Sequence, residues 1–487
     1  MSSEIRNLEP KVVWNYFADL NAVPRGSKKE EKVIQFMINF GNKLGLETIV
    51  DAVQNVIIKK PATQGMENRK TIVLQSHLDM VHQKNNETVF DFDEEGIKMY
   101  IDGDWVTADG TTLGADNGLG VAAIMSILES KDIAHPAIEA LFTIDEETGM
   151  TGAKGLEGGF LSGEILLNLD TEDDQEIDIG CAGGIDVTAI GAYLQEDIIG
   201  KYKKVSLQVK GLNGGHSGMD IHKGLGNANK IMNRLLYETF DFDIKLVSIH
   251  GGSLRNAIPR ESNTVIAVPE NKLKLFKEKL DKATEDILKE FKTVDGGLQI
   301  LYNESDEKIN KVMDTHSYIT LLKTIYTAHN GVYRMSPDIS DLVETSNNIA
   351  KVTVENGEIK IECLTRSAVE SSKMDLANAL RSALELAKYE VTFSGSYPGW
   401  QPNPSSPILK TMTHIYSDMF GNEPNVVACH AGLECGILGT NYPKMDMISF
   451  GPTIQGAHSP DERAHIESVQ KFWKYLLEIL KNIPQKN

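Results

Sequence analysis

Short apolar runs punctuate the first 180 residues and alternate with longer amphipathic stretches, the pattern of an open α/β sheet. Three such runs are Thr71–Ser76, Ile138–Ile144 and Ile165–Leu169, and a fourth, Met445–Phe450, lies far downstream. Each is β-rich or apolar and too short for a helix, so each is expected to be a buried strand. After the first of them, Asp116 precedes a stretch whose apolar positions Leu119, Ala123, Ile127 and Leu128 form one helical stripe. Polar groups of the kind that metals bind follow all four strand candidates: His77, then Glu146 and Glu147, then Asp170, then His458. Ligands of open α/β sheets bind in the crevice beyond the carboxyl ends of the strands. The hydropathy pattern therefore draws these side chains toward one place.

The middle of the chain is patterned differently. From about residue 204 to 291 the order reads strand, helix, strand, strand, helix. The stretch 317–391 largely repeats it, with a helix at Tyr318–Ala328, strands near Ile349–Val354 and Ile359–Leu364, and a helix at Asp375–Ala387. The segments GGSLRNAIPRESNTVIAV and MSPDISDLVETSNNIAKV share a faint likeness. The expectation is two tandem α+β units, about 204–293 and 316–395, within an insertion spanning 191–399. The flanking segments 1–190 and 400–487 would form the α/β domain, with Pro/Gly-rich Tyr397–Pro404 as the return linker.

Composition narrows the function classes. A length of 487 residues calls for two to four domains. The formal net charge of −20 argues against nucleic-acid binding, which needs clustered Lys and Arg, and against anionic membrane surfaces. No apolar run approaches 18 residues, so no membrane span is expected. Met1–Pro10 is polar and lacks the apolar core of a signal peptide, which makes a cytoplasmic location the expectation. Cys181, Cys363, Cys429 and Cys435 show no CxxC spacing, so they are read as reduced core thiols rather than as a disulfide or four-cysteine zinc framework.

The chemistry lies in five short segments. In SHLDMV, residues two apart in an extended chain point the same way, so Asp79 can orient His77 and raise its basicity as a ligand. A solvated strand end would look the same. In TTLGADNGLG, Asp116 is either a metal ligand or the N-cap of its helix. Gly114, Gly118 and Gly120 suit a tight turn where a ligand approaches the backbone. In FTIDEETG, Glu146 and Glu147 are adjacent, so one can bind metal while the other faces an attacking water, unless both belong to an acidic surface turn. Asp170 in LLNLDTED and His458 in SFGPTIQGAHSPDER follow apolar strands, where either would otherwise be a polar loop residue. Two histidines and three carboxylates suit a pair of borderline divalent ions such as zinc, with one carboxylate shared.

These motifs, together with GLNGGHSGMDIHKGLGNANK, NAIPRE and HAGLECG and in this order, resemble the M20 family of two-zinc metallopeptidases, which also contains the aminoacylases. The likeness runs along essentially the whole chain and is greatest to the aminoacyl-histidine dipeptidase branch. It implies a zinc-peptidase catalytic domain, a mixed sheet flanked by helices, with the insertion forming an α+β lid of two tandem units. It implies two Zn2+ per chain, with Mn2+ or Co2+ accepted by the same ligands. His77 would bind one ion and His458 the other, with Asp116 bridging and with Glu147 and Asp170 completing the two sets. Asp79 would orient His77, and Glu146 would be the general base. The resemblance also implies a cis peptide at Asp116–Asn117.

In the lid, His216 matches the histidine that stabilises the tetrahedral oxyanion in this family. Asn256 and Arg366 are candidates for the substrate's C-terminal carboxylate, and Glu434 for its free amino group. His82, His222 and His250 are read as surface or structural. The implied activity is hydrolysis of dipeptides, Xaa-His types included, by a water that Glu146 activates. Simpler relatives borrow the lid histidine from a dimer partner, whereas two lid units in one chain are compatible with either a monomer or a homodimer. The alternatives are an N-acyl amino acid deacylase or tripeptidase of the same family, and a binding protein with a retired metal site. The intact Asp79 and Glu146 weigh against the last.

Overall fold

A computed structural model describes residues 2–486. It divides into two compact units, one made of Met1–Gly180, Pro402–Ala428 and Leu433–Asn487, the other of Cys181–Gln401 and Cys429–Gly432.

The first unit is built on an eight-stranded mixed sheet. At its centre lie β1 (Ile72–His77), β2 (Ile138–Thr143), β3 (Ile165–Asn168) and β4 (Asp446–Ser449), in the spatial order β2-β1-β3-β4. All three contacts among them are parallel. Every residue of β1, β2 and β3 is buried, which explains why these strands read as unbroken apolar runs rather than alternating ones. Val56–Lys60 and Glu47–Val50 extend the β2 side as antiparallel strands. Glu176–Cys181 and Asn425–Cys429 extend the β4 side.

Helix α1 (Ala115–Glu129) packs between β1 and the helix Lys11–Leu20. A single apolar stripe was expected on it, yet Asn117 through Leu128 are buried without a break. A helix covered on both sides has no solvent face, and its small residues Gly118, Gly120, Ala122 and Ala123 let both neighbours approach.

The second unit is built on a nine-stranded antiparallel sheet. Its order is Gln299–Ser305, Tyr202–Lys210, Ser262–Pro269, Lys245–Gly251, Val343–Glu355, Glu358–Ser367, Gly183–Ala192 and Glu390–Tyr397, with Gly331–Met335 also paired to Val343–Glu355. The strands of the two repeat-like stretches meet at Ile249–Gly251 against Val352–Val354. Helices Ala228–Glu238, Leu273–Phe291, Thr315–Thr327 and Glu370–Leu386 contribute to a single apolar core that both stretches share. Cys363 lies in that core, Cys181 and Cys435 are buried, and Cys429 is half-buried.

Candidate metal centre

The ends of β1 to β4 carry the site. His77 is the last residue of β1, and Glu146–Glu147, Asp170 and His458 stand in the loops after β2, β3 and β4. Asp116 comes from the start of α1, where its ψ of 111° is non-helical and the Asp116–Asn117 peptide is cis. His77 Nε2 lies 3.1 Å from Asp116 Oδ1 and 3.4 Å from Asp170 Oδ1. His458 Nε2 lies 3.3 Å from Asp116 Oδ2 and 2.8 Å from Glu147 Oε2. Two sets able to hold a metal ion result, His77–Asp116–Asp170 and Asp116–Glu147–His458, each with ligand atoms within 4.8 Å of one another. Asp116 belongs to both, one oxygen turned to each.

The donor chemistry calls for cations. His77 Nδ1 is 3.1 Å from the Asp79 carbonyl, which can only accept, so Nδ1 carries the hydrogen. The Nε2 lone pair then faces two carboxylate oxygens, an arrangement that a proton or a metal ion must reconcile. Burial would lower the His77 pKa, but Asp170, Asp116 and Asp79 outweigh it and hold it well above the usual value. His458 is pushed up to about 11 by Asp116 and Glu147. Burial would raise the Asp116 pKa, yet the histidines either side pull it well below the ordinary carboxylate range. Burial pushes the Glu147 carboxyl up, and its Oε1 is buried with no hydrogen-bond partner. Imidazole and carboxylate donors with a shared central carboxylate fit two borderline divalent ions.

Asp79 is fully buried. Its carboxylate is 3.5 Å from His77 Nδ1, so the close contact to the ring comes from its main-chain carbonyl. Oδ1 accepts the Glu146 N–H at 3.0 Å, and Oδ2 accepts the Glu147 N–H at 3.3 Å and the Ser27 hydroxyl at 2.8 Å. One aspartate therefore ties the histidine to the two glutamates. Burial, reinforced by Asp170, Glu434 and Glu147 against His77, holds the Glu146 pKa well above the ordinary carboxylate range.

Glu434 is fully buried at the start of the helix Glu434–Asn441. Its Oε2 accepts from Gln75 Nε2 and Thr143 Oγ1, both at 2.6 Å, while Oε1 has no partner. Burial pushes this carboxyl up to about 8. From Gln75 a buried polar chain crosses the sheet through Asn168, Ser449 and Thr171 to Asp178.

The sequence reading overlooked Arg25 and Glu462, both buried. Glu462 takes the amides that lead into α1, and the helix opens at Gly114 with no side-chain cap from its own segment; the Asp116 oxygens, turned to His77 and His458, do not cap it. Gly114, at a φ of 70°, makes the tight turn expected of it, and the three glycines have a further reason in close packing. A Cβ at Gly114 or Gly118 would meet Arg25 Nη2 at 2.4 or 2.7 Å, and one at Gly120 would meet Asn117, Ser76 and the Leu169 carbonyl. The only available signal for Glu462 was its place four residues after His458.

In the second unit, His216 sits on a two-residue strand paired with Ala257–Ile258, and the exposed Asn256 accepts the Ser217 N–H through its carbonyl at 2.7 Å. Arg366 is buried, reaching Ser217 Oγ at 3.2 Å, the Tyr397 hydroxyl at 2.9 Å and His216 Nε2 at 3.2 Å. Burial, then the Arg366 charge, lower the His216 pKa to about 4, so the ring is neutral near pH 7. Tyr397 was not anticipated as an Arg366 partner. Of the histidines set aside, His82 stacks on Phe92 at 4.2 Å, His222 is the middle residue of a short 3-10 turn, and His250 is half-exposed beside Glu355.

The sequence matches peptidase family M20/M25/M40 over residues 73–482. It is 43% identical over 485 residues to the cytosol non-specific dipeptidase of Escherichia coli (strain K12), covering 99% of this chain and 100% of that one. The fold superposes on the crystal structure of aminoacylhistidine dipeptidase from Vibrio alginolyticus with a TM-score of 0.93, at 43% identity and with both chains fully covered. Aminopeptidase PepT from Bacillus cereus ATCC 10987 shares the fold at a TM-score of 0.58 and 16% identity, over 98% of this chain and 99% of that one. A profile match over most of the chain and full-length identity of this order place the protein in peptidase family M20/M25/M40.

Proposed function

We propose that this chain is a metal-dependent dipeptidase that hydrolyses the single peptide bond of dipeptides, Xaa-His types among them. The observation that carries the reading is Asp116, whose two oxygens face two histidines that each have a further carboxylate beside them. The full-length likeness to a cytosol non-specific dipeptidase and an aminoacylhistidine dipeptidase supports the substrate class.

In this reading His77, Asp116 and Asp170 hold one divalent ion, and Asp116, Glu147 and His458 hold the other. Zinc is the assigned metal, with manganese or cobalt accepted by the same donors. Bound there, the ions supply an acidified water and polarisation of the scissile carbonyl. Glu146 takes the proton from that water and delivers it to the leaving amine. Asp79 keeps Glu146 and Glu147 in register by holding both amides and fixes the tautomer of His77. Residues 191–399 supply His216 to the developing oxyanion and Arg366 with Asn256 to the substrate's C-terminal carboxylate. Glu434 Oε1, which no protein donor satisfies, is the assigned acceptor for the free amino group. Anchors at both termini of a short substrate select for length.

The test is amino-acid release from β-Ala-His, Leu-Gly, an N-acetylated dipeptide and a tripeptide, with and without chelator, alongside metal quantification. Chelator-sensitive cleavage restricted to free-amine dipeptides is expected. Cleavage of the N-acetylated substrate alone would make the enzyme a deacylase, and preference for the tripeptide would move it to that class. Metal-loaded protein inert to all four would turn the reading to a binding protein.

A further inference from the structure

Four consecutive main-chain amides precede and include the shared aspartate, and a single side chain receives them all. Glu462 Oε2 accepts the N–H groups of Leu113 at 2.7 Å and Gly114 at 2.9 Å. Its Oε1 accepts those of Ala115 at 2.8 Å and Asp116 at 3.2 Å. Four donors on two oxygens leave neither oxygen room for a proton, so the geometry demands an ionised carboxylate. The first turn of a helix has amides without intrahelical partners, and a local Ser, Thr, Asp or Asn commonly satisfies one of them. Here the acceptor arrives from about 350 residues downstream and takes the amides of Leu113 through Asp116.

The opposite face of the same turn is held by a buried cation. Arg25 Nη2 donates to the Gly114 carbonyl at 2.5 Å and to Asn21 Oδ1 at 3.0 Å, while Nη1 donates to the Leu78 and Asp79 carbonyls at 3.1 Å each. One guanidinium therefore ties the segment after His77 to the segment before Asp116. Glu462 ties that latter segment to the loop carrying His458, four residues upstream of it. The His458 loop is itself pinned, since Arg463–His465 pairs with Trp105–Thr107 and the Glu462 carbonyl accepts the Thr107 hydroxyl at 2.8 Å.

We infer that Glu462 and Arg25 are positioning residues for the metal centre, a buried clamp on Leu113–Asp116 that sets where the Asp116 carboxylate lies between His77 and His458. The inference rests on the two-metal reading above. Neither side chain reaches a ligand atom; both act through backbone. Removing one charge of the clamp shifts the shared oxygens and weakens both ions at once, whereas loss of an ordinary helix cap lowers stability and leaves metal affinity alone.

The experiment compares the full-length wild type with Glu462→Gln, Glu462→Asp and Arg25→Lys, and uses Ser406→Ala as the control. Ser406 caps the helix Pro407–Phe420 by accepting the Leu409 N–H at 3.1 Å and stands outside the centre. Cobalt-loaded protein is titrated against a competing chelator and its visible absorption spectrum recorded, with kcat and KM for a dipeptide and the thermal unfolding midpoint measured in parallel. In Glu462→Gln the amide –NH2 faces two N–H donors, so cobalt affinity is expected to fall by about 10–100-fold. The spectrum is expected to change, and kcat to drop with KM within about threefold. Arg25→Lys and the shorter Glu462→Asp are expected to move the same readouts less, and either decides the matter if Glu462→Gln does not fold. Ser406→Ala is expected to lower the midpoint only. Wild-type affinity and spectrum in the folded clamp variants would overturn the inference, as would losses that merely track the midpoint as they do in Ser406→Ala. A wild type that binds cobalt but cleaves no dipeptide would sink the proposed function and leave the clamp standing; a wild type that binds no divalent ion would sink both.

Discussion

Asp116 shows how one residue acquires its part. By type and place it suits a helix N-cap as well as a metal ligand. The tertiary structure removes the first option, because both Asp116 oxygens turn to histidines rather than to the Gly118 or Leu119 amide. Its carboxylate is left to His77 and His458. Glu146, its amide held by Asp79, is assigned to proton transfer rather than to metal. Glu146→Gln is therefore expected to lower kcat by about 10²–10⁴-fold while bound metal stays at the wild-type level. Assay and metal analysis on one preparation check both halves, and loss of metal with activity would move Glu146 into the ligand set. Gly118 supplies a second expectation. A Cβ there would stand 2.7 Å from Arg25 Nη2 and 2.9 Å from the Phe17 ring, both buried and held. Gly118→Ala should gain about 1 kcal/mol of helix propensity and lose more to overpacking, a net destabilisation of about 1–2 kcal/mol by urea unfolding.

At the scale of elements, the four parallel strands explain why the site lies where it does. Their carboxyl ends point one way, so residues 77, 146–147, 170 and 458 meet although hundreds of positions separate them. Apolarity and length were enough to find these strands. The polar chain crossing them, from Glu434 and Gln75 to Asp178, was not legible, because a Gln or Asn inside an apolar run has a partner only once strand order is known. Asp178 at its far end is buried, and burial pushes its carboxyl up to about 7 despite the Thr171 hydroxyl donating to it. An unfolded aspartate titrates near 3.9. This group's contribution is therefore full below about pH 4 and is lost as pH rises toward 7, by up to about 4 kcal/mol. Asp178→Asn should flatten the pH dependence of the urea midpoint over that window and raise it near pH 8. An unchanged profile would show that the carboxyl stays ionised in the folded protein.

For the whole molecule, a centre assembled from five segments would, on the proposed two-metal reading, couple metal binding to folding. Unfolded chain cannot present the five ligands together, so any ion bound by the folded state adds to its stability. At a free zinc concentration about 1,000 times the dissociation constant the gain is about 4 kcal/mol per site. Chelation is expected to lower the thermal midpoint of the wild type and to leave that of Asp116→Ala, which lacks the shared ligand, nearly unmoved. Equal shifts in both would place the stabilising ion elsewhere. The charge of −20 belongs to this scale too, as a general acidity of which the centre's carboxylates are only a small part.

What the sequence determined by itself was local or ordinal: the four buried strands by their length and apolarity, the donor types following each, and the motif order that marks the family. Those signals survive in one dimension because a strand's burial and a motif's spacing are written in neighbouring residues. The tertiary structure alone decided the rest. It joined the two repeat-like stretches into a single sheet through Ile249–Gly251 and Val352–Val354. It buried α1 on every side and closed Gly114 and Gly118 against Arg25. It made a glutamate far downstream the cap of the turn that carries Asp116. Each of these depends on which distant surfaces meet, and a hydrogen bond between residues 116 and 462 leaves no mark in the residues beside either one.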